Sequence, residues 1–172
     1  MRKNTRFLVH AAILAALYVV LTHMQNILIP DSATWAIQYR ASEALSVLAL
    51  FTPAAIPGLA LGCMLFNFTY AQALPLDFLV GSLATLLACQ AMYLTRNVKV
   101  RGFPLLAMTM PALFNALLVG WELTVYIGGG FAINAVSVAV GELAVLLTLG
   151  SLLYTAIRRR GLDKRVFGEP RP

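Results

Sequence analysis

Six apolar stretches, separated by breaks too short to hold a domain of their own, govern what this chain can become. They cover about 7–25, 37–52, 54–72, 76–95, 103–127 and 131–157, against the roughly 20 apolar residues that a spanning helix needs. Proline and glycine punctuate them: Pro30 after the first, Thr52-Pro53 and Pro57-Gly58 after the second, Pro75 after the third, Gly102 with Pro104 after the fourth, and Gly128-Gly129-Gly130 after the fifth. The second stretch is the shortest and reads as tilted or partly re-entrant. Only 12% of the residues are charged and 60% are apolar, with a mean hydropathy of +0.80. A soluble domain, with about 25% charged residues, has far more polar surface. The expected fold class is an all-α integral membrane protein, a six-transmembrane-helix bundle.

The charge pattern sets a topology. The formal charge is +6, but the basic residues other than Arg40 fall in three clusters: Arg2, Lys3 and Arg6; Arg96, Lys99 and Arg101; and Arg158 through Arg171. Three clusters at span ends signal orientation rather than a phosphate-binding stripe, so nucleic acid is not an expected partner. Placing every cluster inside requires cytoplasmic N and C termini and six crossings. Residues 1–157 then form a single membrane domain and 158–172 a basic cytoplasmic tail. The first span has the basic start of a signal peptide, but Thr22-His23-Met24-Gln25 offers no small-x-small cleavage site, so it reads as uncleaved.

Within these spans lie side chains that hydrocarbon penalises. A carboxylate at mid-bilayer costs about 2.5–3.5 kcal/mol even on translocon scales, so such residues tend to face a cavity. The topology puts Glu43, Asn67, Glu122 and Asn134 in one outer layer, with Asp77 at the outer rim. Asn115 and Glu142 lie one layer deeper, at matching height on antiparallel neighbours. Glu122 follows Asn115 by seven residues, about 20° off the same helical face. Converging acceptors above a dry inner half describe a pocket open to the outside, suited to a ligand rich in N–H donors or to a cation. Trp35, Tyr39, Tyr70, Trp121 and Tyr126 lie near enough in sequence to stack on a flat ring, or to form an interfacial belt. Arg40 and Glu43 are i, i+3 neighbours, so Glu43 either receives a ligand amine or braces Arg40.

Ala11, Ala12, Ala15 and Ala16 form two overlapping small-xxx-small repeats on the first span, a face that admits another helix closely, either a partner's or one of its own. Cys63 and Cys89 fall mid-span and read as small buried hydrophobes. His10 and His23 are about 220° apart around the helix and form no ligand pair. The zincin, nucleophile-elbow and phosphate-loop signatures are missing, so the chain reads as a non-enzyme with no bound cofactor or metal. An ATP-driven process needs another subunit.

The string Arg40-Ala41-Ser42-Glu43-Ala44-Leu45, Leu50-Phe51-Thr52-Pro53-Ala54-Ala55-Ile56-Pro57-Gly58, Gly81 through Ala88, Phe114-Asn115-Ala116-Leu117-Leu118-Val119-Gly120 with Glu122, Asn134-Ala135 and Gly141-Glu142-Leu143 resembles the QueT family. That family comprises S components of energy-coupling-factor (ECF) transporters associated with queuosine precursors, and the resemblance covers about residues 5–157. It implies a prokaryotic, multi-pass cell-membrane protein with an S-component bundle holding its ligand near the outer surface. Implied partners are a membrane scaffold subunit, docked on the alanine face of the first helix, and two cytoplasmic ATPases that use ATP. The implied ligand is a 7-deazaguanine such as the 7-aminomethyl or 7-cyano base or queuine. On this reading Glu122 or Glu142 accepts from the guanine-like edge, Asn115 and Asn134 orient the ring, and Glu43 receives the amine. The aromatic that stacks comes from Trp35, Tyr39 or Trp121, with Asn67 and Arg40 completing the wall. The alternative is a self-sufficient, proton-coupled secondary transporter for a small polar or cationic nutrient.

Overall fold

In an apolar solvent a backbone has only its own groups to bond with, so long runs of Leu, Ala and Val fold locally into helices. The computed structural model describes residues 3–30, 39–70 and 73–168. Helix α1 (Lys3–Leu28) is followed by a 3₁₀ helix (Ala41–Leu50), then by α2 (Ala55–Thr69), α3 (Asp77–Thr95), α4 (Leu105–Tyr126) and α5 (Phe131–Val145). A single π turn (Leu146–Gly150) joins α5 to α6 (Ser151–Arg159) without a break, and a second π turn (Asp163–Phe167) follows. Four helices are long and apolar enough to cross a membrane, the last being the continuous 131–159 rod; 41–50 and 55–69 are shorter apolar helices. Among the described residues no strand forms beyond one isolated bridge between Val100 and Phe103.

The shortest stretch is the centre of the molecule. Eight of the ten residues in the 3₁₀ helix are buried, and it touches every helix from α1 to α6. At about 2.0 Å rise per residue a 3₁₀ helix covers about 20 Å in ten residues, where an α-helix covers about 15 Å. Its threefold repeat also puts Arg40, Glu43 and Ser46 on one ridge. The wide π turn packs here too, with Gly150 close enough that an added Cβ would lie 3.1 Å from Val47.

Helix α1 lies against α2 at backbone contact. A Cβ on Gly58 would meet the Ala11 carbonyl at 2.6 Å, and one on Gly62 would meet the Tyr18 Cβ at 2.7 Å. This divides the alanine face into two sides. Ala11 and Ala15 are buried under α2, while Ala12 and Ala16 remain exposed beside Leu8 and Val20. One small-xxx-small repeat is internal because α2 supplies the matching glycines.

The start of α1 and the second π turn meet at one end of the bundle. Arg6 donates to the Val166 carbonyl, His10 packs edge-on against Phe167, and Phe51 stacks on Tyr154 and Phe167. The Arg96–Lys99 corner lies at the same end, lining a cleft with Phe51, Tyr154 and Arg158. All three basic clusters therefore touch one basic end, and the polar residues of the spans crowd toward the other.

Candidate functional site

Near the opposite end the 3₁₀ helix, α2, α3, α4 and α5 each contribute a buried polar side chain, and α1 closes the side. Arg40, at the N-terminus of the 3₁₀ helix, donates to Asp77 Oδ2 at 3.2 Å, and both are buried. The sequence left Arg40 to pair with Glu43; the three-dimensional partner is Asp77, thirty-seven positions away, brought over by the first turn of α3. Asp77 begins α3, as expected, but is buried and paired there. The guanidinium also lies 5.9 Å from the Phe66 ring centroid, and that ring is stacked by Tyr70 and met edge-on by His23.

Glu43 accepts from the Tyr18 hydroxyl of α1. Thr22, one helical turn on, donates to Ser42 Oγ at 2.7 Å, and Gln25 Oε1 accepts from the Ala41 amide at 2.6 Å. Three consecutive turns of α1 are thereby latched to the start of the 3₁₀ helix. On α2, the Asn67 amide donates to the Asp77 carbonyl at 3.0 Å and approaches Cys63 Sγ at 3.5 Å. Gly81 makes this possible, because its missing Cβ would lie 2.9 Å from Asn67 Nδ2 and 3.0 Å from Asp77 Oδ1.

Asn115 on α4 donates to Glu142 Oε1 on α5 at 2.6 Å, which puts these two residues at the same height on antiparallel neighbours. Glu122 is fully buried. Arg40 is thus the buried cation of this polar layer, with Asp77 as its ion-pair partner. Among the described residues, the buried side-chain N and O atoms without a hydrogen-bond partner are Asn26 Nδ2 and Oδ1, Asn67 Oδ1, Asp77 Oδ1, both Glu122 oxygens and Glu142 Oε2. Apart from the Asn26 nitrogen, every one is an acceptor. Buried polar groups are normally satisfied, and an unpaired buried carboxylate costs several kcal/mol. A donor-rich or cationic partner is what this wall lacks.

Three of the expected residues lie elsewhere. Asn134 donates to Thr124 Oγ1 and to the Gly128 carbonyl, both at 3.0 Å, so its amide ties the α4–α5 turn rather than a ligand ring. Trp121 is 50% exposed, one 100° step around α4 from Glu122, and faces away from the buried wall. Tyr39 is also substantially exposed, with its carbonyl held by Gln25. Trp35 lies outside the described residues. Sequence reading missed Tyr18, Thr22, Phe66 and Gly81. The hydroxyls sit on one face of the first span at a spacing of four, a signal present in the sequence but indistinguishable from ordinary helix packing.

An all-helical membrane protein with a buried, acceptor-rich wall near one end and its basic clusters at the other has the makings of a carrier or receptor for a polar solute. The family model described as QueT transporter matches residues 8–159, and the chain belongs to that family. It is a family of membrane transport proteins rather than enzymes. No curated protein and no solved structure gives a match.

Proposed function

We propose that this chain is the substrate-binding S component of an ECF-type importer, capturing a queuosine precursor or related 7-deazaguanine base on the extracellular side. Six segments cross the cell membrane in this reading, the 3₁₀ helix and α2 being two of them, with residues 1–157 as one domain and the 158–172 tail inside. The gathering of Arg6, the Arg96–Lys99 corner and Arg158 at one end supports it, since cytoplasmic ends carry the Lys and Arg excess. The acceptor wall then opens outward.

The observation that carries the ligand class is the set of unpartnered oxygens on Asn67, Asp77, Glu122 and Glu142. A deazaguanine presents N1–H and an exocyclic amine side by side, which one carboxylate accepts bidentately. Glu122, with both oxygens free, suits that edge best. Glu142 Oε2 and Asp77 Oδ1 suit an aminomethyl cation, while Asn115 and Asn67 orient the ring. Arg40 is held by Asp77 as the wall's counter-charge, and Glu43, already bonded by Tyr18, ties the wall to α1.

The chain needs no cofactor in this scheme. ATP is hydrolysed by two partner ATPases through a membrane scaffold subunit, which would meet the exposed Ala12/Ala16 side of α1. Titration calorimetry tests the reading: Glu122→Gln should weaken deazaguanine binding by one to two decades, since a charge-assisted hydrogen bond contributes about 1.5–3 kcal/mol. Unchanged affinity in Glu122→Gln would reject this assignment of the edge, and unchanged affinity in Glu142→Gln and Glu43→Gln as well would reject the wall as the binding site.

A further inference from the structure

We propose that the basic end of the bundle carries a second site, a cleft for a phosphate group, supplied at that depth by the headgroup of an anionic lipid. The cleft lies where α3, the end of the 3₁₀ helix and α6 meet, and is lined by Phe51, Arg96, Asn97, Lys99, Tyr154 and Arg158 among others. Its lining contains three cationic side chains and no carboxylate. Its volume of about 70 Å³ decides the size of the ligand. Pockets for drug-sized molecules run to about 300–1,000 Å³, so this one holds a small anionic group and not a nucleotide or a base.

Two of the three cations are held before any ligand arrives. Arg96 donates to the Tyr93 carbonyl at 2.5 Å and stacks 3.8 Å from the Tyr93 ring centroid. Arg158 is held by Asp163 at 3.0 Å. Lys99 leaves a turn closed by reciprocal Val100–Phe103 amide bonds of 2.9 and 3.0 Å. That turn is set by Arg101 and Gly102 at φ +51° and +81°, values that need a left-handed backbone. Phe103 and Phe51 in turn fix Tyr154. A preorganised cleft loses less freedom on binding than a flexible basic tail.

Depth points to lipid. Arg96 directly follows Thr95, the last residue of one membrane-long apolar helix, and Arg158 falls in the last turn of another. Both belong at the boundary between hydrocarbon and headgroups, where basic pockets between helices bind anionic lipid. The site is at the other end of the molecule from the acceptor wall and does not depend on what that wall binds.

Native mass spectrometry of the full chain, with phosphatidylglycerol or phosphatidylcholine added at equal concentration, tests this. The phosphatidylglycerol adduct should persist, and Lys99→Gln/Arg158→Gln should lower its affinity about twenty-five-fold, each cation near an anionic surface contributing about fivefold. Because Arg158 also braces Asp163, the exposed Lys99→Glu is the second variant and should lower it alone. Thermal protection by inorganic phosphate, matched in wild type and lost in Lys99→Glu with no lipid adduct, would assign the cleft to a soluble phosphate. Equal phosphatidylglycerol adducts in wild type and both variants would overturn the site.

Discussion

Asn115 and Asn134, two asparagines that look alike in sequence, have different work in the fold. Asn115 holds Glu142 at 2.6 Å and leaves the other carboxyl oxygen free. Asn134 closes a turn through two 3.0 Å bonds. Asn134→Ala should therefore lower stability by about 1–2 kcal/mol in a thermal melt while leaving ligand affinity within about twofold. Asn115→Ala should do the reverse, loosening Glu142 and weakening binding more than it destabilises. Tyr18→Phe removes the donor to a buried carboxyl group, and leaving such an acceptor bare costs about 1–3 kcal/mol. Loss of stability with the ligand absent, read by the same melt, checks it; an unaltered midpoint would mean that Glu43 finds another donor.

At the scale of elements, close approach at glycine does what side-chain volume does in soluble cores. Gly58→Ala puts a methyl 2.6 Å from a backbone oxygen of α1, and overpacking of this kind costs about 1–3 kcal/mol. Reduced thermal stability or loss of monodisperse protein is the expected result. The register of α4 against α5 was legible in sequence, because an even helical rise across a short glycine turn fixes which residues meet, and Asn115 does meet Glu142. The 3₁₀ helix was not legible. Over ten residues that are mostly buried on every side, apolar periodicity cannot separate a repeat of 3.0 from one of 3.6. The pairing of Arg40 with Asp77 was hidden for a related reason: a local i, i+3 neighbour competes on paper with a residue that only tertiary packing brings near. The alanine repeats on α1 were visible, but which repeat is covered depends on Gly58 and Gly62, a helix away in space.

For the whole molecule, composition and the three basic clusters already specified a membrane protein, and the structure adds a polarity along the bundle. Acceptors without partners lie in one half, and cations gather at the other end. If the chain is the proposed binding subunit, vesicles containing it alone should bind a deazaguanine without accumulating it. Accumulation should require the scaffold and ATPases and stop when ATP is depleted. Concentrative uptake by the chain alone under a proton gradient would instead identify a secondary transporter. The most direct measurement is calorimetric titration of the purified chain with a 7-deazaguanine base, in parallel with Glu122→Gln. One-to-one binding that weakens by one to two decades in the variant is the expected result; no binding by the wild-type chain, or equal affinity in both proteins, would contradict it.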